Sequence, residues 1–228
     1  MNFWKKAIAL IMALGMTLGF AACGGNEDVG STNNSAGSSN SEVNEPVAEQ
    51  LGAAEMEAAI QNVYNAENFT ITFEKAGIDG QKKFTASGTI SRADGKWYEV
   101  CTTIPENGAK NTEYSYVAKE GDTYYRWSSI DNEFWDKDAM TELEEGTDPT
   151  SAKFFMEDIL KICVYEYFEW DATKGVHVFT ILYGPRVEVK VVGGKIVEFR
   201  CEEAETVWVA GTIAYGNASV GELPEIDE

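Results

Sequence analysis

The sequence predicts an α+β domain in which a strongly curved antiparallel β-sheet, a half-barrel of about nine strands, is covered by two helices. Most of the chain after Asn68 alternates hydrophobic and polar residues with the period of a strand, whereas two segments repeat their hydrophobic residues at helical spacing. Short turns join several neighbouring strands, which makes those strands antiparallel. A twisted antiparallel sheet of this size curls or splits. Two amphipathic helices favour a curled sheet with the helices on its concave side.

Residues 1–22 are typical of a bacterial lipoprotein signal peptide. Lys5 and Lys6 precede an apolar run too short to span a membrane, and small residues lead to Cys23. A cysteine in that place resembles the lipoprotein signal, in which the thiol is diacylated and becomes the new N-terminus. We therefore expect Cys23 to be lipidated and to anchor the protein on the extracytoplasmic face of a bacterial cell membrane. An ordinary secreted protein cleaved near this point is the alternative.

Residues 23–47 form the predicted tether. The segment from Gly24 to Glu45 consists mainly of Gly, Ser and Asn with scattered acids and has no aromatic residue. Such a segment buries too little apolar surface to offset the entropy lost on ordering, so we expect it to be disordered. As a flexible chain it spans about 25 Å. That length suits one folded domain, residues 48–228, held just off the membrane.

Two segments predict amphipathic helices. From Pro46 to Ala66 the hydrophobic residues recur every three or four positions, and glutamates fill the polar positions between them. The second helix begins near the sequence Asp148-Pro149-Thr150-Ser151 and carries Phe155, Ile159 and Ile162 on one face. Both helices therefore need an apolar surface to lie against.

The remaining pattern predicts strands, with Asp79-Gly80 and Asp94-Gly95 as hairpin turns. Gly184-Pro185 and Gly193-Gly194 separate strands later in the chain. The nine predicted strands are the run from Phe69 to Glu74, Phe84 to Ser91, Lys96 to Ile104, Glu113 to Lys119, Thr123 to Ser128, His177 to Tyr183, Arg186 to Val192, Lys195 to Glu202 and Thr206 to Tyr215.

Several short motifs within this arrangement resemble one known group, the half-barrel bacterial lipoproteins similar to LolA, LppX and LprG. They are Asn68-Phe69-Thr70 after the first helix, Asp94-Gly95-Lys96-Trp97-Tyr98, Asp122-Thr123-Tyr124-Tyr125 with Trp127, the helix that begins at Pro149, and Tyr215-Gly216-Asn217-Ala218 with Pro224. The resemblance implies a wide curved sheet with an apolar cavity under the helices, which relatives use for acyl chains. The long linker and strongly negative charge depart from the group.

Composition restricts the function classes. A net charge of −20 argues against nucleic acid as a partner, and against electrostatic binding to anionic lipids. No HExxH motif or Cys/His cluster is present, so we expect no metal and no cofactor. The one histidine, His177, lies in a strand-like run and no GxSxG motif occurs. We therefore predict a non-enzymatic protein; a convergent geometry of His177, a carboxylate and a hydroxyl would be needed for an enzyme.

The three cysteines after Cys23 are interpreted as buried free thiols. Their number is odd, so at most one disulfide forms within the chain. A bridge between Cys101 and Cys201 is the alternative.

The leading functional hypothesis is a lipid-anchored, monomeric domain that binds an apolar or amphipathic, lipid-like ligand between sheet and helices. Its predicted contact residues are Leu51, Ile60, Val63, Phe155, Ile159 and Leu160. The alternative is a cell-surface interaction module that recognises a glycan or a protein partner through exposed aromatic side chains. Its predicted residues are Tyr98, Tyr116, Tyr125 and Trp127.

Overall fold

The computed structural model describes residues 47–130, 132–164, 168–181 and 184–226. The predicted signal peptide, Cys23 and nearly all of the tether lie outside these residues. The helices are α1 (Ala53–Tyr64), α2 (Ala152–Leu160) and a 3-10 turn (Lys161–Val164). The strands are β1 (Phe69–Asp79), β2 (Lys82–Ala93), β3 (Lys96–Pro105), β4 (Asn111–Glu120), β5 (Thr123–Ser129), β6 (Asp136–Ala139), β7 (Glu169–Asp171), β8 (Val176–Thr180), β9 (Arg186–Val192), β10 (Lys195–Ala204) and β11 (Val207–Tyr215).

The strands form one sheet in the order β6-β5-β4-β3-β2-β1-β11-β10-β9-β8-β7, and every neighbouring pair is antiparallel. The first and last strands pair in the middle, and β6 and β7 end the sheet without pairing to each other. The predicted α+β fold, with a curved, unclosed, half-barrel-like sheet and two helices, is therefore confirmed. The sheet has eleven strands instead of about nine, because the short β6 and β7 were not predicted.

Helix α1 is shorter than the predicted span, because residues 47–52 run in extended conformation along the sheet. There the backbone N–H of Glu49 donates to the carbonyl of Val191 at 2.9 Å. The helix begins after Gly52, whose N–H donates to the carboxylate of Glu55 at 2.8 Å. This contact satisfies one of the amide donors that the first turn of a helix leaves free.

Helix α2 begins where the sequence predicts. The hydroxyl of Ser151 accepts a hydrogen bond from the N–H of Phe154 at 3.2 Å, which is the usual N-cap contact. Helix α1 buries one face against β10, and both helices pack against the 3-10 turn and each other. The buried residues are Met56, Ala59, Ile60 and Val63 in α1 and Ala152, Met156, Ile159 and Leu160 in α2.

The two faces of the sheet differ in their cover. We call the face under the helices the inner face and the opposite one the outer face. Strand register places Phe69, Ile71 and Phe73 of β1 on the inner face, with Ile90 of β2 and Ile213 of β11 beside Ile71. All five are at most 5% exposed and join the core that the helices close.

Two glycines flank Phe73 and allow the strands to curve tightly around it. Gly88 of β2 and Gly211 of β11 are both register partners of Phe73. A Cβ atom at position 88 would overlap the carbonyl oxygen of Val100 and lie 2.9 Å from the Phe73 ring; at position 211 it would lie 2.8 Å from the ring of Phe199. Glycine is thus required because neighbouring backbone and aromatic rings occupy the space of a side chain.

Candidate functional site

The six predicted ligand-binding residues lie on the inner side of the molecule, but they differ in accessibility. Ile60, Val63, Ile159 and Leu160 are at most 6% exposed and pack within the common core. Leu51 and Phe155 are half-buried at the margin of that core. Of the six, these two therefore keep a surface that a bound molecule can reach without repacking of the helices.

The position of Leu51 is fixed by a hydrogen bond from its backbone N–H. Its N–H donates to Nε2 of His177 at 3.1 Å, and the same nitrogen lies 3.0 Å from the carbonyl oxygen of Glu49. The imidazole is fully buried, and its burial lowers the pKa of His177, although the contact with Glu49 opposes the shift. A neutral ring that accepts from Leu51 fits this environment. His177 thereby joins the N-terminal extended segment to β8.

Phe155 borders an aromatic wall at the margin of the helix-covered region. Its ring centroid lies 6.0 Å from that of Phe73 on β1 and 6.2 Å from that of Trp97 on β3, the latter close to an edge-to-face arrangement. These separations are those of favourable aromatic pairs. We call Phe73, Trp97 and Phe155 the aromatic wall.

Beyond this wall, charged side chains replace hydrophobic ones on the inner face. Lys75 follows Phe73 by two residues on β1, and Glu99 follows Trp97 by two residues on β3, so each points to the same face as its predecessor. Register adds Glu113 of β4, opposite Cys101, and Arg126 of β5, opposite Val117. We call Lys75, Glu99, Glu113 and Arg126 the inner charged cluster; all four are half-buried.

Burial shapes the ionisation of this cluster. Desolvation raises the pKa of Glu113 to about 7, although the nearby Arg126 guanidinium opposes the rise. Burial likewise raises the pKa of Glu99, again against Arg126 and Lys75, and it lowers the pKa of Lys75. The carboxyl groups therefore take up protons more readily than ordinary glutamates do, whereas an arginine stays charged at any ordinary pH.

The members of the cluster interact across space without close ion pairing. Arg126 donates from Nε to the hydroxyl of Ser115 at 3.0 Å, and Asn111 donates to Glu113 at 3.3 Å. Among the described residues, neither Lys75 nor Arg126 has a carboxylate oxygen within 4.0 Å. The terminal nitrogens of the Arg126 guanidinium are therefore available for another acceptor.

The four predicted surface aromatics share the outer face, opposite the helices. Tyr98, Tyr116 and Trp127 are successive register partners, and Tyr125 precedes Trp127 by two residues. Ring centroids are 4.4 Å apart for Tyr98 and Tyr116 and 6.2 Å apart for Tyr125 and Trp127. Trp127 is only 2% exposed, with the ammonium of Lys137 over its ring at 4.8 Å.

A groove of about 440 Å³ also lies on the outer face, across β1, β11, β10, β9 and β8. None of the predicted ligand-binding or surface aromatic residues lines it. Four of its five charged side chains lie in ion pairs: Lys190 lies 2.8 Å from Glu198, Glu188 lies 2.6 Å from Arg186, and Arg200 lies 3.3 Å from Glu202. The groove therefore offers mainly charges that are already neutralised.

The three described cysteines are free thiols, in agreement with the first interpretation. Cys163 and Cys201 are buried in the core, whereas Cys101 is half-buried beside the inner charged cluster. Within the described ranges, no group of three or more His, Cys, Asp or Glu side chains is arranged to hold a metal. No helix in this part of the chain is long and apolar enough to cross a membrane.

Comparison with known proteins leaves the family open. No family model matches the chain, and no curated protein matches it. Among solved structures, it is weakly similar to the crystal structure of a DUF1329 family protein from Desulfovibrio piger, with 12% identity and a TM-score of 0.20 over 72% of this chain and 91% of that one. A similarity this weak carries no argument about fold or activity, so function is argued from the residues themselves.

Proposed function

We propose that this protein is a lipid-anchored, extracytoplasmic binding protein that holds an amphipathic ligand on the inner face of its sheet. The apolar part of the ligand lies against the aromatic wall, and its polar part lies on the inner charged cluster. The protein performs no chemistry on the ligand in this proposal.

One observation carries it: on the inner face, an aromatic wall whose Phe155 ring stays half-buried adjoins half-buried charges that have no ion pair among the described residues. A folded protein gains little by leaving charges desolvated without ion pairs. Such groups are instead typical of binding sites, where a ligand completes the missing contacts. The site uses Phe155 among the predicted contacts, whereas Ile60, Val63, Ile159 and Leu160 support it from the core.

The location is proposed from the signal sequence that ends at Cys23. Two acyl chains are enough for stable attachment to a membrane, so no other anchor is needed. Metabolic labelling with a palmitate analogue tests this part. Label on the wild-type protein and none on Cys23→Ala supports it; equal label on both, or none on either, contradicts it.

Native mass spectrometry tests the binding function. The full chain carrying Cys23→Ala is purified from its own host and measured before and after organic extraction. A lipid-sized mass that extraction removes, and that Phe155→Ser reduces, supports the proposal. Phe154→Ser is the matched control, because Phe154 is also half-buried on α2 but lies outside the aromatic wall. A bare polypeptide that also fails to bind added dodecyl amphiphiles contradicts the proposal.

The second candidate is an interaction module on the outer face. The observation in its favour is that Tyr98, Tyr116, Tyr125 and Trp127 do share one face, away from the helices. Half-buried tyrosines with closely spaced rings are suited to contact sugar rings or a protein partner. Binding to a glycan array that Tyr98→Ala abolishes and Phe155→Ser leaves intact would favour this candidate; the opposite pattern would favour the inner-face site.

A further inference from the structure

The side chains of the inner charged cluster differ in how many of their hydrogen-bonding groups already have a partner. Glu113 accepts a hydrogen bond from Asn111. Among the described residues, Arg126 donates through Nε alone, to Ser115, and the Lys75 ammonium lies 5.9 Å from the centre of the Phe73 ring. Arg126 and Lys75 therefore retain N–H donors that have no acceptor among the described residues.

The carboxyl groups and the Arg126 guanidinium also respond differently to burial. A buried carboxyl group becomes neutral by taking up a proton, whereas a guanidinium keeps its charge. Asp138 of β6 is the cross-strand partner of Arg126, but it is exposed and no ion pair joins the two. The persistent, incompletely satisfied charge of the site is therefore positive.

We infer that the inner charged cluster binds an anionic group, a carboxylate or a phosphate, at the polar end of the amphipathic ligand. Arg126 and Lys75 are the binding residues. The planar guanidinium fork matches two oxygens of such a group, and the ammonium adds a point charge beside it. This inference rests on the proposed function, since it names the chemistry of the ligand at that same site.

The proposed anion site adjoins the aromatic wall. Lys75 and Glu99 each lie two residues beyond a wall residue on the same strand and face, a distance of about 7 Å along a strand. A single-chain amphiphile therefore reaches both regions when its polar end lies between β1 and β5 and its first methylene groups point toward Phe155.

The test uses four probes with the full chain carrying Cys23→Ala. Three share one dodecyl chain, below the concentration at which they form micelles: dodecanoate, dodecyl phosphate and dodecyltrimethylammonium. The fourth is inorganic phosphate, which has the anion without the chain. Isothermal titration calorimetry at pH 6.5 measures each affinity, and dodecanol provides a neutral reference in native mass spectrometry.

We expect at least tenfold tighter binding of the two anionic dodecyl probes than of the cationic one, and weaker binding of inorganic phosphate than of dodecyl phosphate. Equal affinity for all dodecyl probes would overturn the anion inference and leave the proposed function intact. A preference for the cationic probe would have the same two consequences. Equal affinity for dodecyl phosphate and phosphate would contradict the amphiphile function but keep the anion site. Failure of every probe to bind contradicts both.

Variants assign the residues. Arg126→Gln should remove most of the preference for anions, and Arg126→Lys should retain part of it, because the charge remains without the fork. Arg200→Gln is the matched control, since Arg200 is half-buried on the outer face, where its guanidinium contacts Glu202 and Trp208. An unchanged preference in a folded Arg126→Gln protein would overturn the assignment. If that variant does not fold, Lys75→Gln provides the same test.

Proton uptake supplies a second readout. Glu113 and Glu99 face the proposed anion from β4 and β3, Asp138 adjoins it from β6, and Lys75 and Arg126 are the cations on β1 and β5. Ionisation of Glu113 above neutral pH adds a negative charge beside the ligand, so anion affinity should fall between pH 6 and pH 8. With dodecanoate, which stays ionised over this range, Glu113→Gln should reduce this fall, and Glu99, whose pKa burial also raises, accounts for what remains. A variant that keeps the wild-type pH dependence would overturn this role.

Discussion

Replacement of Glu113 by glutamine should make the protein more stable at alkaline pH and leave its stability in acid nearly unchanged. In the native state, burial raises the pKa of this carboxyl from 4.5 to about 7. The native protein therefore binds more protons than the unfolded chain between these values, and its stability falls as pH rises through that interval. Glutamine stays neutral throughout and can still accept the hydrogen bond from Asn111.

The size of the effect follows from the same shift. The full rise would be worth about 3 kcal/mol at a pH above both values, and the partial exposure of the side chain reduces this to about 1–2 kcal/mol. For a chain of this length that corresponds to a rise in Tm of about 3–6 °C. At pH 4.5 both side chains are largely neutral, and the difference should nearly vanish.

Thermal and urea denaturation followed by circular dichroism, at pH 4.5, 6 and 8, measures the effect. Glu74→Gln is the matched control, because Glu74 is an exposed glutamate on the outer face of β1. It should change stability little at any pH. A gain from Glu113→Gln that is the same at pH 4.5 and pH 8 would refute the reasoning, since it would not arise from ionisation.

Three further substitutions test the packing and the connections of the fold. Gly88→Ala should cost about 2 kcal/mol or more in unfolding free energy, because its Cβ would overlap backbone and the Phe73 ring; the exposed neighbour Ser87→Ala should not. Leu160→Ala should cost about 2–5 kcal/mol, since the side chain is 0% exposed, and a loss below 1 kcal/mol would mean a loosely packed core. Asn68→Ala removes two hydrogen bonds to Ala218, of 3.0 and 2.8 Å; it should cost about 1–2 kcal/mol and speed amide hydrogen exchange after residue 216 while leaving α1 protected.

The strands near the middle of the sheet could be predicted from sequence because their alternating hydrophobic and polar residues match the alternation of buried and exposed side chains in the structure. In β1, Phe69, Ile71 and Phe73 alternate with polar residues, and the structure buries these three. The short edge strand Asp136–Ala139 carries no such signal, because all four of its residues are exposed and backbone pairing with β5 alone defines it. Strand prediction from side-chain pattern therefore fails where one face is not required to be apolar.

The candidate site could not be read from the pattern for a related reason. In β4 and β5 the large hydrophobic residues, such as Tyr116 and Trp127, occupy the outer face, and Glu113 and Arg126 occupy the inner face. Hydrophobicity alone would assign the opposite orientation. The outer face is covered there by parts of the chain distant in sequence: the backbone at Gly221, for instance, passes close to the Tyr116 hydroxyl. Only strand register brings the four charges together.

The pH response of the wild-type protein combines two opposing groups, and His177 is the second. Burial lowers the pKa of this histidine in the native state. Below about pH 6.5 the unfolded chain therefore binds more protons at His177 than the native protein does, and this group lowers stability as the pH decreases. Glu113 acts in the opposite direction over an overlapping interval. His177→Gln should therefore reveal a steeper gain in stability on acidification from pH 7 to pH 5 than the wild type shows, measured by urea denaturation. Identical slopes in variant and wild type would mean that the buried imidazole does not resist protonation. The double variant with Glu113→Gln should then show a smaller gain on acidification than His177→Gln alone, and the gain that remains comes from Glu99, whose pKa burial also raises.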